Sequence, residues 1–238
     1  MSGNHLADLL YRFIAHYKWE PQHLRGSMEE FDERLRRQEV PLNFLLNALF
    51  RYSSSETISF LLQSMGCSVA ENFELKFPRE TAFTQPDVLI ESDDVRVFIE
   101  VKVDSRVDLQ QIQKYLLLHA FMDAQEKKKP VLLLLTKSKF PKCWSPPQER
   151  SDLDIRSFLS KALNQSNAPE FRGLSSAGDV LKDYDDVRSR IVFGESSWNE
   201  FGGYLRQCVA KLKHLPRSEV EVRVIEDFIV DLEQRKLS

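Results

Sequence analysis

The clearest hydrophobic pattern in the chain is a pair of short apolar runs, residues 88–91 and 96–103, separated by a polar turn at residues 92–95. Two such runs around a short turn predict a β-hairpin. If the turn is centred on Asp93-Asp94, strand pairing is symmetric about that point. The predicted register then has three opposed pairs: Glu91 with Arg96, Leu89 with Phe98, and Asp87 with Glu100.

The two faces of this hairpin differ in character, because side chains alternate along a strand. One face is wholly aliphatic and suited to burial; it consists of Val88, Ile90, Val97, Ile99, Val101 and Val103. The other face carries Asp87, Glu100 and Lys102. A slip of one residue would bury these charges, so the pattern also fixes the register.

The flanking segments extend the hairpin into an α/β unit. Residues 67–77 fit a first strand that ends at Pro78, and residues 108–125 have helical periodicity. Residues 131–136 form a wholly apolar run that is typical of a central strand. With a helix before the first strand, the predicted order is helix, three strands, helix and strand.

The charged face of the hairpin suggests metal chemistry. Directly opposed carboxylates have Cβ atoms roughly 4.5–5.5 Å apart and destabilise a sheet unless a cation lies between them. Mg²⁺ prefers oxygen ligands and typically binds one or two carboxylates, several waters and phosphate oxygens. Lys102 points the same way as Glu100, where its ammonium would orient the attacking water, help to deprotonate it, or stabilise negative charge on phosphorus.

These residues resemble a known family. Pro86, Asp87, Glu100 and Lys102 match the signature of the PD-(D/E)xK nuclease superfamily, and residues 111–115 look like the QxxxY element of its RecB-like branch. The resemblance covers roughly residues 50–137. It implies a restriction-endonuclease-like αβββαβ core with a mixed central sheet flanked by helices. The resemblance also implies a Mg²⁺ requirement, with Mn²⁺ as a substitute, and hydrolysis of nucleic acid. The hydrophobic pattern outside this region adds extra N- and C-terminal helices to the predicted fold.

The resemblance assigns metal ligands to this sequence. Asp87 and Glu100 are expected to hold the ion, and the backbone carbonyl of Val101 is expected to complete its shell. A third acidic ligand in this family often comes from a helix before the first strand, where Glu56 is the best match. The alternative for Glu56 is a carboxylate that only stabilises a helix N-terminus.

The resemblance also assigns catalytic roles. Lys102 is expected to assist the attacking water, and Gln111 and Tyr115 are expected to orient the substrate or Lys102. Gln111 and Tyr115 are four residues apart and share one helical face. A polar pair at a helix–sheet boundary is the alternative for these two residues. DNA is favoured over RNA by the resemblance alone, and endonuclease and exonuclease action are both open.

Composition bounds the function without choosing it. The chain has 238 residues, of which 42% are hydrophobic and 29% charged, enough for one substantial core. A net charge of −3 is the main argument against a nucleic-acid partner, yet only the local surface meets a phosphate backbone. Lys127, Lys128, Lys129, Lys137, Lys139 and Lys142 are candidate phosphate contacts, with solvated loop lysines as the alternative.

Several classes are disfavoured. No apolar run approaches the roughly 20 residues that span a bilayer, and the N-terminus lacks a signal-peptide pattern, so no membrane partner and a cytoplasmic location are expected. Three widely spaced cysteines without a CxxC pair suggest neither a disulfide framework nor a zinc site, and they are too few for an iron–sulfur cluster.

The predicted organisation is an N-terminal helical segment (1–52), a nuclease core (53–137) and a mostly helical C-terminal extension (138–238). Residues 197–213 and 219–236 have helical periodicity, and they are expected to pack on the core or to build a homodimer interface. The rival function is a nuclease fold that does not cleave and serves as a nucleic-acid-binding or assembly module in a defence or repair complex. A third possibility is an enzyme that needs a partner protein or a guide.

Overall fold

A mixed sheet of five strands lies at the centre of the protein, in the order β1-β2-β3-β4-β5. The computed structural model describes residues 39–67, 73–76, 85–103, 109–123, 126–137, 177–216 and 218–237. Most of the predicted N-terminal segment, together with Lys139 and Lys142, lies outside these residues.

The described residues contain five strands and six helices. The strands are β1 (Glu74–Lys76), β2 (Val88–Glu91), β3 (Val95–Val101), β4 (Lys129–Thr136) and β5 (Val192–Ser197). The helices are α1 (Glu39–Tyr52), α2 (Ser55–Ser64), α3 (Leu109–Asp123), α4 (Ala177–Arg190), α5 (Trp198–Leu212) and α6 (Glu219–Gln234). None of these helices combines the length and the apolar character that crossing a bilayer requires.

The hairpin forms in the predicted register. Glu91 pairs with Arg96 and Leu89 pairs with Phe98, and pairing continues to Val88 and Ile99. Strand β1 pairs antiparallel with β2, whereas β4 and β5 continue the sheet parallel to β3. The protein is therefore an α/β protein whose mixed sheet carries antiparallel strands on one side and parallel strands on the other.

Apolar side chains cover both faces of the sheet. All six residues of the predicted aliphatic face are buried in one core with residues of α1, α2, α5 and α6. The opposite face is covered by α3 and α4, which bury Leu89 and Phe98 of the hairpin against residues such as Leu116 and Val187. The charged face predicted from sequence is thus charged only at the strand ends, because its central positions are apolar and covered by helices.

The three predicted segments meet in the first core. Leu42 and Leu46 of α1, Val97 of β3, and Phe201 and Phe228 of α5 and α6 belong to the same buried cluster. The helices predicted at residues 197–213 and 219–236 are confirmed as α5 and α6 within two residues at each end. Within the described residues, α5 and α6 pack on the sheet, which was one of the two expected arrangements.

Two sequence predictions need correction. Of the residues predicted as the first strand (67–77), Glu74–Lys76 form β1, whereas Cys67 ends the turn after α2, where its N–H donates to the Leu62 carbonyl at 2.9 Å. Residues 68–72 and 77 lie outside the described part of the chain. Strand β5 was not predicted, since residues 138–238 were expected to be mostly helical. Its sequence has two apolar residues followed by Gly194, Glu195, Ser196 and Ser197, so it lacks the alternation of apolar and polar residues that identifies a strand.

Strand β5 can sit beside the end of α2 because residue 194 is glycine. A Cβ atom at Gly194 would overlap the Met65 carbonyl oxygen and lie 2.6 Å from Leu133 Cδ2. The absence of a side chain therefore permits the close approach of a helix end to the sheet.

Candidate active site

The predicted acidic residues meet at the end of the hairpin away from its turn. Asp87 lies directly before β2, and its Oδ2 accepts a hydrogen bond from the Val101 N–H at 2.8 Å. Glu100 is the penultimate residue of β3 and only 2% exposed. Continuing the β2–β3 register one position beyond Val88 and Ile99 places Asp87 opposite Glu100, as predicted.

Lys102 completes this cluster. Its Nζ lies 2.6 Å from Glu100 Oε1, and its side chain is 17% exposed. The backbone of Lys102 is held on both sides, because its N–H donates to the Leu135 carbonyl at 2.8 Å and its carbonyl accepts from Trp198 Nε1 at 2.9 Å. The Lys102 side chain therefore extends to the partly exposed site from a main chain that is held in place.

Gln111 and Tyr115 join the cluster from α3. Gln111 Nε2 donates to the Tyr115 hydroxyl at 2.9 Å, and that hydroxyl donates to Glu100 Oε2. Tyr115 is 1% exposed, so its ring is part of the core while its hydroxyl meets the site. Glu100 thus has a donor at each oxygen, Lys102 at Oε1 and Tyr115 at Oε2. In this arrangement the pair orients Glu100, whereas the sequence prediction had it orient the substrate or Lys102.

Helix α1 supplies three residues that sequence reasoning missed. Asn43 Nδ2 donates to Asp87 Oδ1, and Asn47 Nδ2 donates to the Asp87 carbonyl at 2.8 Å. Glu39 accepts from the Val103 N–H at 3.1 Å and lies 3.7 Å from Lys102 Nζ. Glu39, Asn43 and Asn47 are spaced by four, so they share one helical face. This polar stripe on an otherwise apolar helix was the available signal.

Glu56 lies elsewhere in the described structure. It is exposed in the first turn of α2, whose cap residue Ser54 binds Glu221 of α6 through its N–H at 2.8 Å. None of the contacts found in the described residues joins Glu56 to Asp87, Glu100 or Lys102. The first turn of α2 follows the C-terminal end of α1. Glu39 lies at the N-terminal end of α1, about 20 Å away along the helix axis.

Burial and like charge dominate the electrostatics of the site. Burial, reinforced by the neighbouring Glu100, raises the pKa of Asp87 to about 8, although the Val101 N–H and the Lys102 ammonium act in the opposite direction. Burial alone would lower the pKa of Lys102, but Glu100, Glu39 and Asp87 together raise it above its usual value. Burial and then Glu100 raise the pKa of Tyr115, which keeps its hydroxyl a donor.

The donor set fits Mg²⁺. The half-buried Asp87 and the buried Glu100 form a pair whose mutual repulsion, when both are ionised, a divalent cation offsets. In the described part of the chain no three Asp, Glu, His or Cys side chains form a group able to hold an ion. A carboxylate pair leaves the other coordination positions to water, backbone carbonyl and phosphate oxygens, which is the usual pattern for Mg²⁺.

The candidate basic residues lie mostly at the opposite end of the sheet. Lys129 pairs with Val95, whereas Leu135 pairs with Val101, so about 20 Å of strand separates residues 127–129 from the site. Lys128 is buried, and its Nζ donates to the Ser92 carbonyl at 2.9 Å. Among these described lysines, only Lys137 is at the end of β4 that adjoins the site.

No protein-family model matches the chain, and comparisons with curated proteins and with solved structures find no similar protein. The functional interpretation therefore depends on the geometry of the site and on the motifs in the sequence.

Proposed function

We propose that the protein is a Mg²⁺-dependent nuclease that hydrolyses phosphodiester bonds, with Asp87 and Glu100 as the metal ligands. The observation that carries the proposal is the convergence of these two carboxylates with the Lys102 amine, 2.6 Å from Glu100, at one end of the hairpin. Bringing two carboxyl groups together makes it costly to ionise both of them, and functional sites are where such arrangements are concentrated.

The order of elements supports a restriction-endonuclease-like core. Within the described residues, the elements from α2 to β4 follow the order helix, strand, strand, strand, helix, strand, and the sheet is mixed. The candidate residues come from the hairpin and from the helix after it, as the PD-(D/E)xK and QxxxY motifs require. DNA is the proposed substrate on the strength of that resemblance.

Each residue receives a role from its contacts. When bound, Mg²⁺ would neutralise phosphate charge and acidify a coordinated water. Val101 donates its N–H towards Asp87, so its carbonyl lies on the same strand edge and is available to the ion. Because three carboxylates favour its charged form, Lys102 acts as an ammonium that stabilises the negative charge on phosphorus.

The remaining residues hold these groups in place. Tyr115, itself bound by Gln111, orients Glu100 from α3. Glu39 orients Lys102 and the main chain at Val103. These contacts favour Glu39 over Glu56 for the acidic residue that the family takes from a helix before the first strand.

The test is a cleavage assay on single- and double-stranded DNA and on RNA, in Mg²⁺ and in EDTA. Asp87→Ala and Glu100→Gln should abolish Mg²⁺-dependent cleavage, and Lys102→Ala should reduce it by about 10²–10³-fold. Asp93→Asn is the matched control, because it removes a carboxylate from the exposed turn of the same hairpin. Full activity in the Asp87 and Lys102 variants would identify a contaminant and refute the proposal.

A further inference from the structure

We propose that Asn43 is a positioning residue that fixes the Asp87 carboxylate in the orientation needed to bind the metal ion. This inference rests on the proposed function and adds a residue to it from helix α1. It begins from a contact between elements that are far apart in the sequence, since Asn43 Nδ2 donates to Asp87 Oδ1 across 44 positions.

Asp87 has little local structure to hold it. It lies just outside β2, where pairing with β3 has ended at Val88, so the strand ladder does not fix its main chain. Asn47 supplies that restraint by donating to the Asp87 carbonyl at 2.8 Å and to the Asn43 carbonyl at 2.7 Å. The carboxylate itself is bound at one oxygen by Asn43 and at the other by the Val101 N–H.

The stability of the folded state does not explain why residue 43 is an asparagine. Among the described residues, no donor reaches the buried Oδ1 atoms of Asn43 and Asn47. A buried acceptor without a partner destabilises the folded state, and such groups in native structures require a functional or structural reason. An apolar side chain at position 43 would avoid this penalty but would leave the Asp87 carboxylate without its donor from α1.

The bond to Asn43 matters because a metal ligand must be aimed as well as charged. Groups that hydrogen-bond a ligating carboxylate set its orientation, and their removal typically weakens metal binding by about 10–100-fold. Without Asn43, the Asp87 carboxylate loses one of its two donors and can turn about its Cβ–Cγ bond. A water molecule would then take the place of the carboxylate oxygen on a bound ion.

The test uses Tb³⁺ as the probe ion, because Tyr115 adjoins the site and sensitises its luminescence. Asn43→Ser keeps a polar side chain that is too short to reach Asp87, and Asn43→Leu keeps the size without a donor. We expect both variants to bind Tb³⁺ about 10–100-fold more weakly. Luminescence lifetimes in H₂O and D₂O should reveal additional water on the ion. Asp93→Asn is the control, because it alters an exposed residue in the turn at the other end of the hairpin and should keep the wild-type affinity and water count.

The outcomes separate the two proposals. If wild-type protein does not bind Tb³⁺, or Asp87→Ala binds it equally well, the nuclease site is wrong and the role of Asn43 falls with it. If wild-type binding depends on Asp87 while both Asn43 variants match the wild type in affinity and water count, only the positioning role is overturned. Unfolding curves recorded for each variant would detect a loss of fold.

Discussion

The Asp87→Asn substitution should reverse a pH-dependent loss of stability. The folded protein holds a proton on Asp87 up to a pKa of about 8, whereas the unfolded chain releases it near the ordinary value of 3.8. Between these values the folded state binds more protons than the unfolded state. The contribution of Asp87 to stability is therefore present at low pH and declines as the pH rises through this interval.

The magnitude follows from proton linkage. Each pH unit within the interval changes the free energy of unfolding by about 1.4 kcal/mol for one proton. From about pH 5 to about pH 7, the Asp87→Asn variant should gain about 3 kcal/mol relative to the wild type. Asparagine can keep the hydrogen bond from Val101, and its amide can donate to the unpartnered Oδ1 of Asn43.

The assay is urea-induced unfolding in EDTA at a series of pH values. Asp93→Asn controls for the general effect of removing one negative charge from the hairpin. The difference in unfolding free energy between the Asp87→Asn variant and the wild type should grow with pH. Parallel curves for the two proteins would refute the claim that Asp87 stays protonated in the folded state up to a pH near 8.

Four further substitutions test other parts of the structure. Tyr115→Phe removes the donor to Glu100 and should weaken Mn²⁺ binding by about 10–100-fold in an isothermal titration; unchanged affinity would contradict the orienting role. Gly194→Ala should lower the unfolding free energy by about 3 kcal/mol in urea titrations, because a Cβ overlaps Met65. Gly203→Ala, which meets open space in α5, should instead stabilise by about 1 kcal/mol, and equal effects would count against the packing argument. Arg96→Met should lower the same free energy by about 3–5 kcal/mol, because it removes the buried cation that bridges Glu91 and Asp123, yet leave Mn²⁺ affinity intact; a loss of affinity would contradict its remoteness from the site.

The residues of the candidate site that could be predicted are those whose positions depend on local sequence patterns. The register of β2 and β3 depends on a short turn and on alternation, both of which act over a few residues, and so Asp87 could be aligned with Glu100. Gln111 and Tyr115 were recognised from their spacing on one helix, although only the structure revealed that their target is Glu100.

The missed part depends on contacts between distant segments. Glu39 and Asn43 reach Val103 and Asp87 because the apolar face of α1 packs in the same core as the hairpin. Helical periodicity identifies that apolar face but not the surface it will cover. Glu56 was predicted as a ligand because it lies on a helix before the first strand. That place in the sequence does not reveal which helix end lies next to the carboxylates.

By itself, the sequence determined the hairpin, its register, its two faces and the helices whose apolar positions recur every three or four residues, because these features follow from short-range geometry. Only the tertiary structure decided that α1 supplies the neighbours of Asp87 and Lys102, that β5 extends the sheet beside Gly194, and that Glu100 is buried between a lysine and a tyrosine. Those arrangements depend on how whole elements pack against one another, and packing is set by the combined shape of residues that are far apart along the chain.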